Sequence, residues 1–193
     1  LNVRLFVALE IPAAVRDNLA AQIEVLRELS TKVADKRPRW VRPENLHVTL
    51  KFIGEVSPAK LDSIRGALSA IRSNAPVDLK FRGLGFFPNK NHPRVLWAGL
   101  EASSKLSSLA ADIEGALETQ GIARERRAFR PHLMLARIEP PGLHEKLHAA
   151  IQKSGEREFG SFQTREFHLV ESKLKPSGAE YTTLASFPFS LEA

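Results

Sequence analysis

Apolar positions along this chain switch repeatedly between two periods. RLFVALE (4–10) is a short apolar run with β-branched and aromatic members, which predicts a strand. Pro12 stands where a helix would open, and Val15, Leu19, Ile23, Leu26 and Val33 follow at close to helical spacing. NLHVTLKFIG (45–54) alternates with period two and predicts a second strand. Ser57 and Pro58 read as an N-cap and first-turn pair, ahead of Leu61, Ile64, Leu68 and Ile71 on one helix face. VDLKFRGLGFF (77–87) and PRVLWAGL (93–100) predict two strands joined by the loop PNKNH. Leu106, Leu109, Ile113 and Leu117 mark a helix that stops at Gly121. An arginine-rich stretch, RERRAFR (124–130), leads into a strand, PHLMLARI (131–138). Pro140, Pro141 and Gly142 break the chain before a helix with Leu143, Leu147 and Ile151, and strands near 159–171 and 180–189 close it.

Strands and helices are mixed, and several strand neighbours are close enough to be hairpins, which argues α+β over a regular parallel βαβ array. The order strand, helix, histidine-bearing strand, helix occurs in 4–73 and again in 94–153. No low-complexity linker separates the halves. One domain spanning 1–193 with an internal, pseudo-twofold repeat is the expected organisation.

Composition sharpens this only in places. Hydrophobic residues make up 43% and charged residues 26%, so the chain reads as ordinary globular protein. The absence of cysteine excludes a thiol nucleophile and a cysteine metal site and fits a cytoplasmic location. No apolar run approaches a membrane span, and LNVRLFVALEIP reads as a strand, not a signal peptide. The formal net charge of +6 favours anionic partners, nucleic acid first among them.

The strand period sorts the side chains of 47–52. His47, Thr49 and Lys51 fall on one face, and Val48, Leu50 and Phe52 on the other, expected to be the core face. In 132–135, His132 and Met134 share one face, and Leu133 and Leu135 the other. A cleft between two sheets, with an imidazole offered from each wall, suits acid–base chemistry near neutral pH. A phosphodiester wants this division of labour: a water activated on one side of phosphorus, a leaving oxygen protonated on the other, and hydroxyls and arginines on the non-bridging oxygens. Arg130 has the parity of His132 and is a candidate phosphate contact. Lys51 is either a phosphate contact or a solvated strand charge. Phe52 is expected in the core despite its capacity to stack on a base, and Trp97 poses the same choice. Arg124, Arg126, Arg127 and Arg130 either track an RNA backbone or form a solvated loop. His92 and His168 have no partner by spacing.

HVTL (47–50) and HLML (132–135) resemble the paired H-x-T-x motifs of the two-histidine (2H) phosphoesterases. With RLFVALEIP, WVRPENLHVTLKFIGEV, FRGLGFFPNKNHPRVLWAGL and FRPHLMLAR, the chain more closely resembles the LigT-like RNA 2′,3′-cyclic phosphodiesterases, also called 2′-5′ RNA ligases. The resemblance implies a bilobal fold, with two antiparallel sheets flanking a central cleft and helices on the outer faces. It implies metal-independent, cofactor-free hydrolysis of RNA or nucleotide 2′,3′-cyclic phosphate ends to a 2′-phosphate, with no obligate protein partner. By motif position, His47 is the implied general acid, His132 the general base, and Thr49 and Arg137 the phosphate contacts. Strict alternation puts Arg137 off the His132 face, so that role requires a twist or a bulge after Met134. Met134 itself departs from the family's threonine and removes a hydroxyl donor.

Two other readings stand beside this one. With Met134 in place of the hydroxyl, the chain could bind RNA ends with weak or lost catalysis. HEKLH (144–148) carries the H-E-x-x-H letters of a zinc hydrolase, with His144 and His148 as ligands and Glu145 as base.

Overall fold

The computed structural model describes residues 2–33, 38–72, 76–139, 143–176 and 178–189. In chain order these form β1 (Val3–Glu10), α1 (Ala13–Val33), β2 (Arg39–Trp40), β3 (His47–Val56), α2 (Leu61–Ser69), β4 (Val77–Phe87), β5 (Val95–Ala102), α3 (Ser104–Glu118), β6 (His132–Arg137), α4 (Glu145–Lys153), β7 (Glu158–Thr164), β8 (Glu166–Lys175) and β9 (Gly178–Pro188). The strands make two antiparallel sheets, ordered β3-β1-β8-β9 and β2-β6-β5-β4-β7. The expected α+β, two-sheet architecture is what forms.

Local chemistry explains the helices. Arg16 N–H donates to the Pro12 carbonyl at 3.0 Å, so α1 opens at the proline. Val15, Leu19, Ile23 and Leu26 form its buried stripe. Ser57 caps the turn before α2 by accepting from Ala59 N–H. Beyond α3, Gly121 takes φ +74°, Gly121 N–H donates to the Glu118 carbonyl and Ile122 N–H to the Leu117 carbonyl. That pair of bonds ends the helix, and only a residue tolerant of positive φ closes it without strain.

The helices cover one face of each sheet, and a continuous core joins them. Leu5, Val7 and Leu9 of β1 point into it, while Phe6 and Ala8 point away and join Val170 and Tyr181 in a small separate cluster. Each half of the chain repeats one arrangement. β1 is followed by a helix and pairs with β3; β5 is followed by a helix and pairs with β6.

One expectation is overturned. The stretch 159–171 is two strands in different sheets: β7 pairs with β4, and β8 pairs with β1. The chain changes sheets at Arg165, whose carbonyl accepts from Phe189 N–H at 2.7 Å, while Thr164 Oγ1 donates to the Glu166 carbonyl at 3.0 Å. Neither glycine nor proline marks the crossing. β2, two residues long, is too short to show a period. The break expected at 140–142 and the side chain of Val33 lie outside the described residues. No helix among the described residues is long and apolar enough to cross a membrane.

Candidate active site

Both histidine-bearing strands carry a bulge at the same distance from the histidine. In β3, Thr49 pairs with Ala8 and Lys51 with Val7, which leaves Leu50 as an extra residue. In β6, Met134 pairs with Trp97 and Ala136 with Leu96, which leaves Leu135 extra. An extra residue reverses the parity beyond it. Lys51 and Ala136 therefore turn into the core, and Phe52 and Arg137 turn out. His47, Thr49 and Phe52 occupy one face; His132, Met134 and Arg137 occupy the matching face of the other strand. β3 and β6 lie against each other where the two sheets meet.

The two imidazoles are held in the same way. His47 Nδ1 lies 2.6 Å from the Asn45 carbonyl, and His132 Nδ1 lies 2.7 Å from the Arg130 carbonyl. A carbonyl only accepts, so each Nδ1 carries the proton that it donates, and each Nε2 is left for exchange. His47 Nε2 meets Thr49 Oγ1 at 3.0 Å. His132 Nε2 has no hydrogen-bond partner among the described residues.

Burial draws the His47 pKa below the usual 6.5, and the Asn45 carbonyl offsets part of that shift. The folded chain thus takes a proton at His47 less readily than the unfolded chain. The difference costs stability as pH falls below 6.5 and vanishes above it. The His47 ring resonances of the free protein should titrate with a midpoint below 6.5. A midpoint at or above that value in the NMR titration would mean that burial does not govern the ring.

Against this geometry, the first half of the site matches a family model described as LigT-like phosphoesterase over residues 9–97. An RNA 2′,3′-cyclic phosphodiesterase of Methanothermobacter thermautotrophicus is 34% identical over 97% of this chain and 99% of its own. The chain belongs to the LigT-like RNA 2′,3′-cyclic phosphodiesterase family. Another member, from Archaeoglobus fulgidus, is 34% identical over 95% of this chain and 99% of its own. A crystal structure from Thermus thermophilus superimposes with TM-score 0.80 at 31% identity, covering 98% of this chain and 100% of the other. E. coli LigT complexed with 3′-AMP gives TM-score 0.75 at 25% identity, covering 98% of this chain and 99% of the other.

In this LigT-like chain aromatic rings frame both histidines. The His47 ring lies 4.8 Å from Phe6 and meets Tyr181 nearly edge-on at 5.3 Å. Burial raises the Tyr181 pKa, and the positive charges of Arg137 and Arg4 pull it partly back. The Arg137 field therefore reaches across from the second sheet to the ring beside His47. Arg39, directly opposite Arg137, is taken by Glu139 at 2.8 Å. Arg137 itself has no ion-pair or hydrogen-bond partner among the described residues. On the other wall Phe87 meets His132 edge-on at 4.9 Å and Trp97 at 5.2 Å. Trp97 shares the Met134 face and lies over Gly85, where a Cβ would collide with the indole. Phe6, Phe87 and Tyr181 carry no sequence signal as site residues: their place depends on which strands become neighbours.

Three expectations change. Lys51 is neither a phosphate contact nor a solvated charge. It is buried at 5% exposure, with Nζ 2.8 Å from Glu114 Oε2 and 2.7 Å from the Ala123 carbonyl. Phe52 is 60% exposed on the His47 face, 6.2 Å from Phe6, instead of packed in the core. The bulge at Leu50 causes both reversals. HEKLH does not form the helical pair: His144 is the N-cap of α4, accepting Lys146 N–H on Nδ1 at 3.2 Å. His148 stacks on Phe86 at 5.2 Å, with Nε2 at the Lys90 carbonyl. His144 lies outside the helix, so the two rings do not share a helix face with Glu145 between them. His92 is exposed, and His168 is buried against Ser186 Oγ at 3.0 Å.

Proposed function

We propose that this protein hydrolyses RNA or nucleotide 2′,3′-cyclic phosphate ends to a 2′-phosphate by two-histidine acid–base catalysis. One observation carries the reading: two imidazoles on adjoining strands, each fixed through Nδ1 by the carbonyl two residues back, in a chain 34% identical to an RNA 2′,3′-cyclic phosphodiesterase. His132 Nε2 removes a proton from water as its oxygen bonds to phosphorus. The P–O3′ bond breaks, and His47 Nε2 delivers its proton to O3′. The lowered proton affinity of His47 makes it a willing donor once an anionic phosphate beside it has drawn a proton onto the ring. Thr49 Oγ1, already at His47 Nε2, and Arg137, without an ion-pair partner among the described residues, hold the non-bridging oxygens. Arg130 remains an outer contact: its carbonyl orients His132, and its guanidinium is exposed. Phe52, 60% exposed on the His47 face and backed by the buried Phe6, offers a ring to the base.

The proton transfers balance on side chains alone and require no cofactor. The absence of cysteine fits a reducing compartment, the cytoplasm. We read 1–193 as a single bilobal domain whose halves are related by a pseudo-twofold repeat, a reading supported by the matched bulges at Leu50 and Leu135.

Met134 favours a second reading, RNA-end binding with weak catalysis. It stands on the cleft face where Thr49 stands in the first motif, and a thioether donates no hydrogen bond. Steady-state turnover of a 2′,3′-cyclic nucleotide with EDTA present separates the two. A hydrogen bond to a charged oxygen is worth about 1.5–3 kcal/mol. Met134→Thr should therefore raise kcat/KM by roughly tenfold, if about 1.4 kcal/mol is realised in the transition state. A loss of activity in Met134→Thr, with Thr49→Met unchanged, would remove both positions from the phosphate site.

A further inference from the structure

The arginine-rich segment 123–130 is strung between the two motif strands, and three buried or site-bound groups hold its backbone. Lys51 Nζ takes the Ala123 carbonyl at 2.7 Å, Glu114 Oε2 accepts Glu125 N–H at 3.2 Å, and His132 Nδ1 takes the Arg130 carbonyl at 2.7 Å. Ile122 and Phe129 pack on the core at its two ends. The segment is thus a fixed arch, pinned at Ala123 by Lys51 from the core side of β3 and at Arg130 by the histidine of the second motif.

The charges on the arch are left open in a particular way. Arg124 is matched by Glu118 at 2.7 Å. Glu125 turns its carboxylate onto the backbone N–H groups of Arg126 and Arg127 at 3.0 and 3.3 Å, away from their guanidiniums. The side chains of Arg126, Arg127 and Arg130 are exposed, with no acidic partner among the described residues. A mononucleotide ends at the histidines and has no further phosphate to place there. An RNA strand continues through its 5′ side and carries one phosphate per nucleotide.

We propose that this arch is a phosphate-binding rim that grips the RNA backbone upstream of the reacting end, so that the substrate is an oligonucleotide end in preference to a free cyclic nucleotide. The proposal rests on the cyclic phosphodiesterase reading. Its test compares kcat/KM for a short oligonucleotide ending in 2′,3′-cyclic phosphate with that for the matching cyclic mononucleotide. The native protein is set against Arg126→Gln/Arg127→Gln and a charge-matched control, Lys105→Gln/Lys153→Gln, whose lysines are exposed on α3 and α4. The oligonucleotide-to-mononucleotide ratio should fall about tenfold in the arch variant and stay put in the control. The log–log salt slope for the oligonucleotide should shrink by about 1.4, at about 0.7 per single-strand phosphate contact. An unchanged ratio, or an equal fall in the control, overturns the rim. Absence of turnover on both substrates would count against the catalytic reading. Anisotropy binding of a 2′-phosphate oligonucleotide then reads the rim by itself, and equal affinity of native and arch variant overturns it.

Discussion

His47→Ala and His132→Ala each lower turnover of a 2′,3′-cyclic nucleotide by on the order of 10²–10⁴, the usual worth of general acid–base catalysis. The double variant falls well short of the product of the two, since the pair works as a unit. The expectation follows from the way the rings are held. Each Nδ1 is committed to a carbonyl, so removing a ring removes an aimed Nε2. Loss of the His47 ring also vacates its packing against Phe6 and Tyr181. His47→Asn, which keeps more of the volume, separates lost chemistry from lost packing. Native-like turnover in either alanine variant, with folding checked by circular dichroism, would take that residue out of the reaction.

Glu114→Ala should destabilise the protein by about 3 kcal/mol, the lower end of the cost of breaking a buried ion pair. The lower end applies because the Glu114 side chain is 17% exposed and Lys51, at 4%, keeps the Ala123 carbonyl. For a chain of this size the midpoint of thermal unfolding should drop by roughly 6–12 °C. Adding Lys51→Met should recover much of the loss, since an apolar side chain there leaves no unpaired charge. Denaturant unfolding of Glu114→Ala, Lys51→Met and the double variant checks this. Strictly additive losses would mean that Lys51 and Glu114 are not coupled. The same pair holds the arch at Ala123, so Glu114→Ala should also loosen the approach to the second motif.

The sequence showed what depends on local period. The stripes of α1 and α3, the stop at Gly121 and the faces of His47, Thr49, His132 and Met134 all follow from spacing. For Arg137 to reach the His132 face, the sequence demands a twist or a bulge after Met134, and the pairing with β5 shows which: Leu135 is the extra residue. Its counterpart in β3 leaves no trace in the sequence. HVTLKF contains no glycine or proline, and the extra residue is visible only in the pairing with β1. Strict alternation therefore puts Lys51 and Phe52 each on the side of the strand that the other occupies. The change of sheet at Arg165 was hidden for a related reason: both strands are apolar on one face, and the switch is made by their partners. Phe6 and Tyr181 reach His47 from different strands, a neighbourhood no single stretch of sequence encodes.

The position of the phosphate in the product is the most direct test of the central claim. An oligonucleotide with a 2′,3′-cyclic phosphate end is incubated with the native protein in EDTA, and the product is read by phosphorus NMR. Two-histidine attack with departure of O3′ predicts a single 2′-phosphomonoester, formed with the metal chelated and absent from the double histidine variant. A 3′-phosphate, or turnover that appears only when zinc is restored, would contradict the account.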